Sequence, residues 1–113
     1  MFMRQDFRFL LPDDLCSRAI SLASLGIEGW AFGAQDVIRA IHELRDENVL
    51  VLGGDVYATS LRGPVPTCDS WYCPDGATVE EAAALAEDYV MSYAKANGED
   101  HLFSLVFGGG GSY

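Results

Sequence analysis

Residues 49–59 read VLVLGGDVYAT. Four consecutive apolar residues call for a β-strand paired on both edges and, at that end, covered on both faces. The strand then meets Gly53, Gly54 and Asp55. A strand interior avoids such residues, because glycine has no side chain to pack and aspartate fits a pleated surface poorly. The pattern resumes at Val56 and Tyr57, so a β-bulge within the sheet reconciles the two halves and leaves Asp55 available. A phosphate-binding loop does not fit: it requires a helix N-terminus after the glycines, and no lysine stands nearby.

The rest of the chain follows its Gly and Pro punctuation. Pro12-Asp13-Asp14 opens a first helix, continued by Leu15, Ala19 and Leu22 and closed by Gly26. A connector over 27–33 carries Trp30 and Phe32. Trp30 is expected in the core, pinning the helices to the sheet. A second helix over about 34–47 has Val37, Ile41 and Leu44 as its apolar stripe, with Arg39 and Glu43 paired on the other face. The central strand comes next, then a second strand over about 68–73 that ends in the turn Pro74-Asp75-Gly76.

Thr78 and Glu81 form a capping box for the third helix, which Gly98 terminates. A last strand covers 101–107. The first two strands form a hairpin, and the long helical crossover returns the last strand parallel to the second. The expected fold is α+β: a three-stranded, mainly antiparallel sheet in the order 2-1-3 with about three helices packed on it. Residues 1–107 form one domain, and 108–113 (GGGGSY after Phe107) read as a flexible Gly-rich tail.

Charge narrows the function. Seventeen acids against seven bases give the 113 residues a formal net charge of −10. That excludes nucleic-acid phosphates and anionic membranes as partners and suits a basic one. No apolar run reaches the ~20 residues of a membrane span. Arg4, Asp6 and Arg8 stand where an export signal would be apolar, so a cytoplasmic location is expected. Three cysteines (Cys16, Cys68 and Cys73) make a poor disulfide framework, and with two distant histidines they make no metal site. No cofactor and no enzymatic activity are expected.

Candidate contact residues fall in two groups. Between Gly63 and Ala94 there is no Lys or Arg, while Asp69, Asp75, Glu80, Glu81, Glu87 and Asp88 occur there. The four acids of the third helix lie off its apolar stripe. They form a single-sign surface suited to steering a basic partner, with Trp71 or Tyr72 on the neighbouring hairpin as a desolvated anchor. Asp55 and Tyr57 at the bulge are the second group.

GIEGWAF at 26–32, LGGDVY at 52–57, DSWYC at 69–73 and the Glu- and Tyr-rich third helix resemble the immunity protein 40 family of bacterial polymorphic toxin systems. The resemblance covers about residues 20–107. Its signature positions are Trp30, Gly53, Gly54, Asp55, Tyr57, Trp71 and Tyr72, whereas Cys73 and the glycine tail depart from it. It implies a small cytoplasmic protein that neutralises a cognate toxin by stoichiometric binding, without catalysis or cofactor. Together with the charge, it points to a basic toxin, such as a nuclease, occluded at its active site or substrate surface. Two other readings stay open: an acidic interaction or regulatory domain outside toxin systems, and a small hydrolase using Asp55.

Overall fold

A computed structural model describes residues 10–108. In chain order these form α1 (Asp13–Cys16), β1 (Ile20–Ser21), a 3₁₀ turn (Ala23–Leu25), β2 (Trp30–Gly33), α2 (Ala34–Asp46), β3 (Leu50–Ala58), β4 (Val65–Tyr72), α3 (Val79–Asn97), β5 (His101–Ser104) and β6 (Val106–Gly108). The strands make one six-stranded antiparallel sheet in the order β1-β2-β5-β3-β4, with β6 also paired to β3. β5 and β6 lie end to end along the same edge of β3, β5 against Val56–Ala58 and β6 against Leu50–Gly53.

The α+β class and the central position of 49–59, between the second and last strands, are as expected. The count of three strands is not. Two of the extra strands come from the segment read as helix and connector. Only one α-helical turn, Asp13–Cys16, forms there, with the 3₁₀ turn Ala23–Leu25 further on. Beyond Cys16, Ser17 Oγ donates to Asp14 O at 2.8 Å and Ser21 Oγ accepts from the Ala23 N–H at 3.1 Å. Such side-chain bonds offer the backbone an alternative to the helix. β1 and β2 then pair as a short hairpin on the sheet edge. The last extra strand arises because the chain breaks at Leu105, splitting 101–107 into β5 and β6. Gly108 closes β6 opposite Leu50, and residues 109–113, the rest of the expected tail, lie outside the described residues.

Both longer helices pack on one face of the sheet. α2 buries Val37, Ala40, Ile41 and Leu44, and α3 buries Ala82, Ala83, Ala86 and Val90. From the strands, Phe32, Val51, Val56, Trp71 and Phe103 join this core. Their sequence neighbours Ala31, Tyr57 and Leu102 belong to a second, smaller cluster with Leu22 and Leu25. Successive strand residues point to opposite faces, so this second cluster lies on the face away from the helices. The apolar VLVL run is therefore not covered on both sides: Val51 is buried, but Leu52 is 40% exposed.

The register slips between Val51 and Gly53 against β6, which places the expected bulge at the first glycine. Gly54 is required by close approach rather than by its backbone angles. A Cβ there would strike the Ser104 carbonyl oxygen and the Trp71 ring. A second irregularity, between Asp55 and Tyr57 against β4, centres on Cys68, whose φ is +71°. β4 is an edge strand, which is why Pro66 is tolerated within it.

Gly54→Ala should cost at least about 3 kcal/mol, because neither a carbonyl nor a packed indole can yield. Cys68→Gly should raise stability by about 1 kcal/mol, by removing a left-handed conformation from a residue with a Cβ. Urea unfolding of both variants checks these values.

Candidate functional site

The bulge in β3 and the break at Leu105 face each other, and a hollow between them is lined on the open face by Trp30, Asp55 and Tyr57 and reaches through the sheet to Leu11, Phe32 and Leu44 of the helix-side core. Ser104 marks the junction. Its Oγ accepts from the Asp55 N–H at 3.2 Å. The hollow has a volume of about 140 Å³. Its floor and walls include Leu22, Phe32, Tyr57 and Phe107, and Trp30, Glu28 and Asp55 also line it. Burial, and then the charge of Asp55, hold the Tyr57 phenol above its usual range. Asp55 itself is exposed, and its carboxylate has no ion-pair or hydrogen-bond partner among the described residues.

A neighbouring hollow of about 150 Å³ shares Asp55 and Val106 with the first and is lined also by Leu52 and Tyr72. Tyr72 is 77% exposed, and Leu52 and Val106 are exposed as well. This face thus carries an apolar, aromatic surface with one carboxylate at its centre.

The other face holds an aromatic ladder. Trp71 stacks on Tyr89 at 4.9 Å, Tyr89 on Tyr93 at 6.0 Å, and Tyr93 meets Phe103 edge-on at 5.9 Å. The Tyr93 hydroxyl donates to the Asp69 carboxylate at 2.8 Å. Burial raises the pKa of both tyrosines, and the negative charge of Asp69 adds to the rise. The ladder clamps α3 to the sheet, and Trp71 is 5% exposed. Its indole Nε1 is buried with no hydrogen-bond partner among the described residues.

The sheet therefore divides the residues singled out in the sequence. Asp55, Tyr57 and Tyr72 come together on the open face. Asp69, Asp75, Glu80, Glu87 and Asp88 lie on the α3 side, and not all of them are free. Glu87 meets His42 of α2 at 2.8 Å, and Glu81 is used in the capping box of Thr78. Of the two rings offered as anchor, Tyr72 is the exposed one, because α3 covers the face of β4 that carries Trp71, whereas Tyr72, one residue on, points the other way. One expectation is corrected. Trp30 is no core pin: on β2, beside the open hollow, it is 36% exposed. Ser104, Glu28, Leu52 and Val106 were not singled out. Only the strand break at Leu105 makes them neighbours of Asp55, and no local pattern announces it.

The cations are concentrated elsewhere. Arg18 and Arg39 pair with Asp14, Arg18 also with Asp36, and Arg45 with Asp46. Arg39 thus reaches Asp14 rather than the expected Glu43, and its hydrogen bond holds that carboxyl below the usual range. Among the described residues, no cluster of His, Cys, Asp and Glu could hold a metal ion, and no helix is long and apolar enough to cross a membrane.

A protein-family model described as Immunity protein 40 matches residues 21–107, a span that includes Trp30, the Gly53–Tyr57 bulge and the Trp71-Tyr72 pair. Neither a curated protein nor a solved structure gives a match.

Trp71→Ala should cost about 3–5 kcal/mol, as the loss of a large buried ring does. Trp30→Ala should cost about 2–3 kcal/mol, in proportion to the smaller area it buries. Thermal unfolding of the two variants side by side tests the exchange of roles.

Proposed function

The chain belongs to the immunity protein 40 family, and on that premise we propose that it binds a basic cognate toxin in the cytoplasm and neutralises it by stoichiometric occlusion. The family membership carries this reading. The physical support is the excess of seventeen acids over seven bases. Occlusion needs complementary surface rather than a reacting group, so the mechanism involves no catalysis and no cofactor. A nuclease is the toxin class that suits the charge best, because a surface built to hold nucleic-acid phosphates is basic and accepts an acidic protein in their place.

The acids divide the work by distance. Asp69, Asp75, Glu80, Glu87 and Asp88 lie on a side of the molecule where no described arginine forms an ion pair. Their summed field extends over roughly a Debye length, about 8 Å at physiological salt. It attracts a basic surface before contact and so raises the association rate more than the final affinity.

The test uses a candidate cognate toxin domain. Co-expression should rescue growth, and the purified pair should form a one-to-one complex. In stopped-flow mixing the association rate should fall severalfold between low and physiological salt, and Glu80→Lys with Asp88→Lys should slow it further. Glu87 is left intact, because reversing it would also break the contact with His42. A complex that fails to form rejects the immunity reading, and a salt-independent association rate rejects the steering.

A further inference from the structure

The hollow beside Asp55 has the size and chemistry of a socket for one side chain. Its volume of about 140 Å³ is close to that of a cavity that holds a benzene molecule, about 150 Å³. It falls well below the ~300 Å³ at which small-molecule and cofactor pockets begin. Its wall is mostly apolar, and its charged lining consists of two carboxylates, Glu28 and Asp55, with no cation. Both residues are exposed, and neither forms an ion pair among the described residues. An uncharged apolar guest would leave these carboxylates unused, and an acidic guest would be repelled.

A guest with an aliphatic stem and a cationic head satisfies both the wall and the rim. Arginine fits better than lysine, because its planar fork bonds carboxylates in pairs and stacks on aromatic rings. Such a ring is offered by Tyr72, across the shared residue Asp55 and 77% exposed, while Trp30 lines the wall.

Resting on the reading of this chain as the antagonist of a basic toxin, we propose that the toxin seats on the open face of the sheet and inserts an arginine side chain into the hollow between β2, β3 and the β5–β6 break, its guanidinium held by Asp55 and Glu28. The α3 acids bring the toxin near, and the opposite face holds it. This departs from an anchor on the α3 side, where Trp71 is sealed under the helix.

The socket is tested first with the full chain and a small probe. N-acetyl-arginine methylamide is titrated against the ¹⁵N-labelled protein, with the citrulline analogue as its uncharged match. The arginine compound should shift the amide resonances of Asp55, Tyr57 and Ser104 with millimolar affinity, at least fivefold tighter than citrulline. Asp55→Asn should remove that preference. Gly29→Leu should block binding without disturbing the fold: a Cβ at Gly29 meets nothing nearer than 3.9 Å, and its neighbours there are Leu22 and Ile27 of the socket wall. Equal binding of citrulline, or shifts centred on α3, overturns the proposal.

With the toxin domain, Asp55→Asn and Gly29→Leu should each weaken the complex at least tenfold, through faster dissociation, while Glu80→Lys with Asp88→Lys changes mainly association. Toxin binding untouched by Asp55→Asn and Gly29→Leu overturns the socket yet upholds the immunity reading. Failure of the wild-type chain to bind any toxin, alongside an intact arginine preference, rejects that reading and the toxin as the socket's guest.

Discussion

At Gly54 the backbone of β3 passes between the Trp71 indole and the Ser104 carbonyl, so closely that no side chain fits. Each neighbour organises one face of the molecule. Trp71, seated over the glycine, presents its ring to Tyr89, and through the ladder to Tyr93 and Phe103 it fixes α3 on the sheet. Ser104 ends β5 at the same level, bonds the Asp55 N–H and precedes the break at Leu105 from which the open hollow arises. A larger residue at position 54 would push both neighbours away, and the helix layer and the hollow would be lost together.

The two faces differ in chemistry because they differ in cover. The helix face is covered, and polar groups along its margin make defined contacts such as Tyr93 with Asp69 and His42 with Glu87. Among the described residues, the open face is covered near β1 and β2, by Leu22 and by Leu25 of the 3₁₀ turn. Beyond that cover Leu52, Tyr72 and Val106 meet solvent around an unpaired carboxylate. An exposed apolar patch around a charge has no structural purpose in a monomer, and such patches mark interaction surfaces. The edge strand β4 would invite a further strand, but Pro66 and the left-handed Cys68 interrupt its ladder. Irregularities of that kind discourage edge-to-edge pairing, which leaves recognition to side chains.

Charge is distributed with similar economy. Arg18, just after α1, and Arg39 and Arg45 of α2 are consumed in local ion pairs with Asp14, Asp36 and Asp46. These are exposed contacts, each worth at most about 1 kcal/mol. The stretch from Gly63 to Ala94 has no Lys or Arg and is flanked by Arg62 and Lys95, so it presents a negative field between them. Attraction at a distance and grip at contact thus come from different residues on opposite sides of one sheet.

Much of this was readable in the amino-acid sequence, because it depends on local physics. The Thr78–Glu81 capping box, the stripe of α2, the hairpin and the bulge at Gly53 follow from periodicity, capping and the conformational limits of glycine. So does the central place of 49–59, whose apolar run requires neighbours on both edges. What only the tertiary structure decided is which side of each strand is covered. Trp71 and Tyr72 are adjacent and chemically alike, and nothing local says that α3 will bury the first and leave the second in water. Trp30 passes from expected core to exposed wall because a segment with helical spacing folds instead into β1, a 3₁₀ turn and β2. The hollow is wholly a tertiary product: Glu28, Asp55 and Ser104 are far apart in the chain and meet only because the last strand breaks opposite the bulge. Sequence patterns register the preferences of neighbouring residues, whereas burial and convergence depend on contacts between distant segments, and those exist only once the sheet has closed.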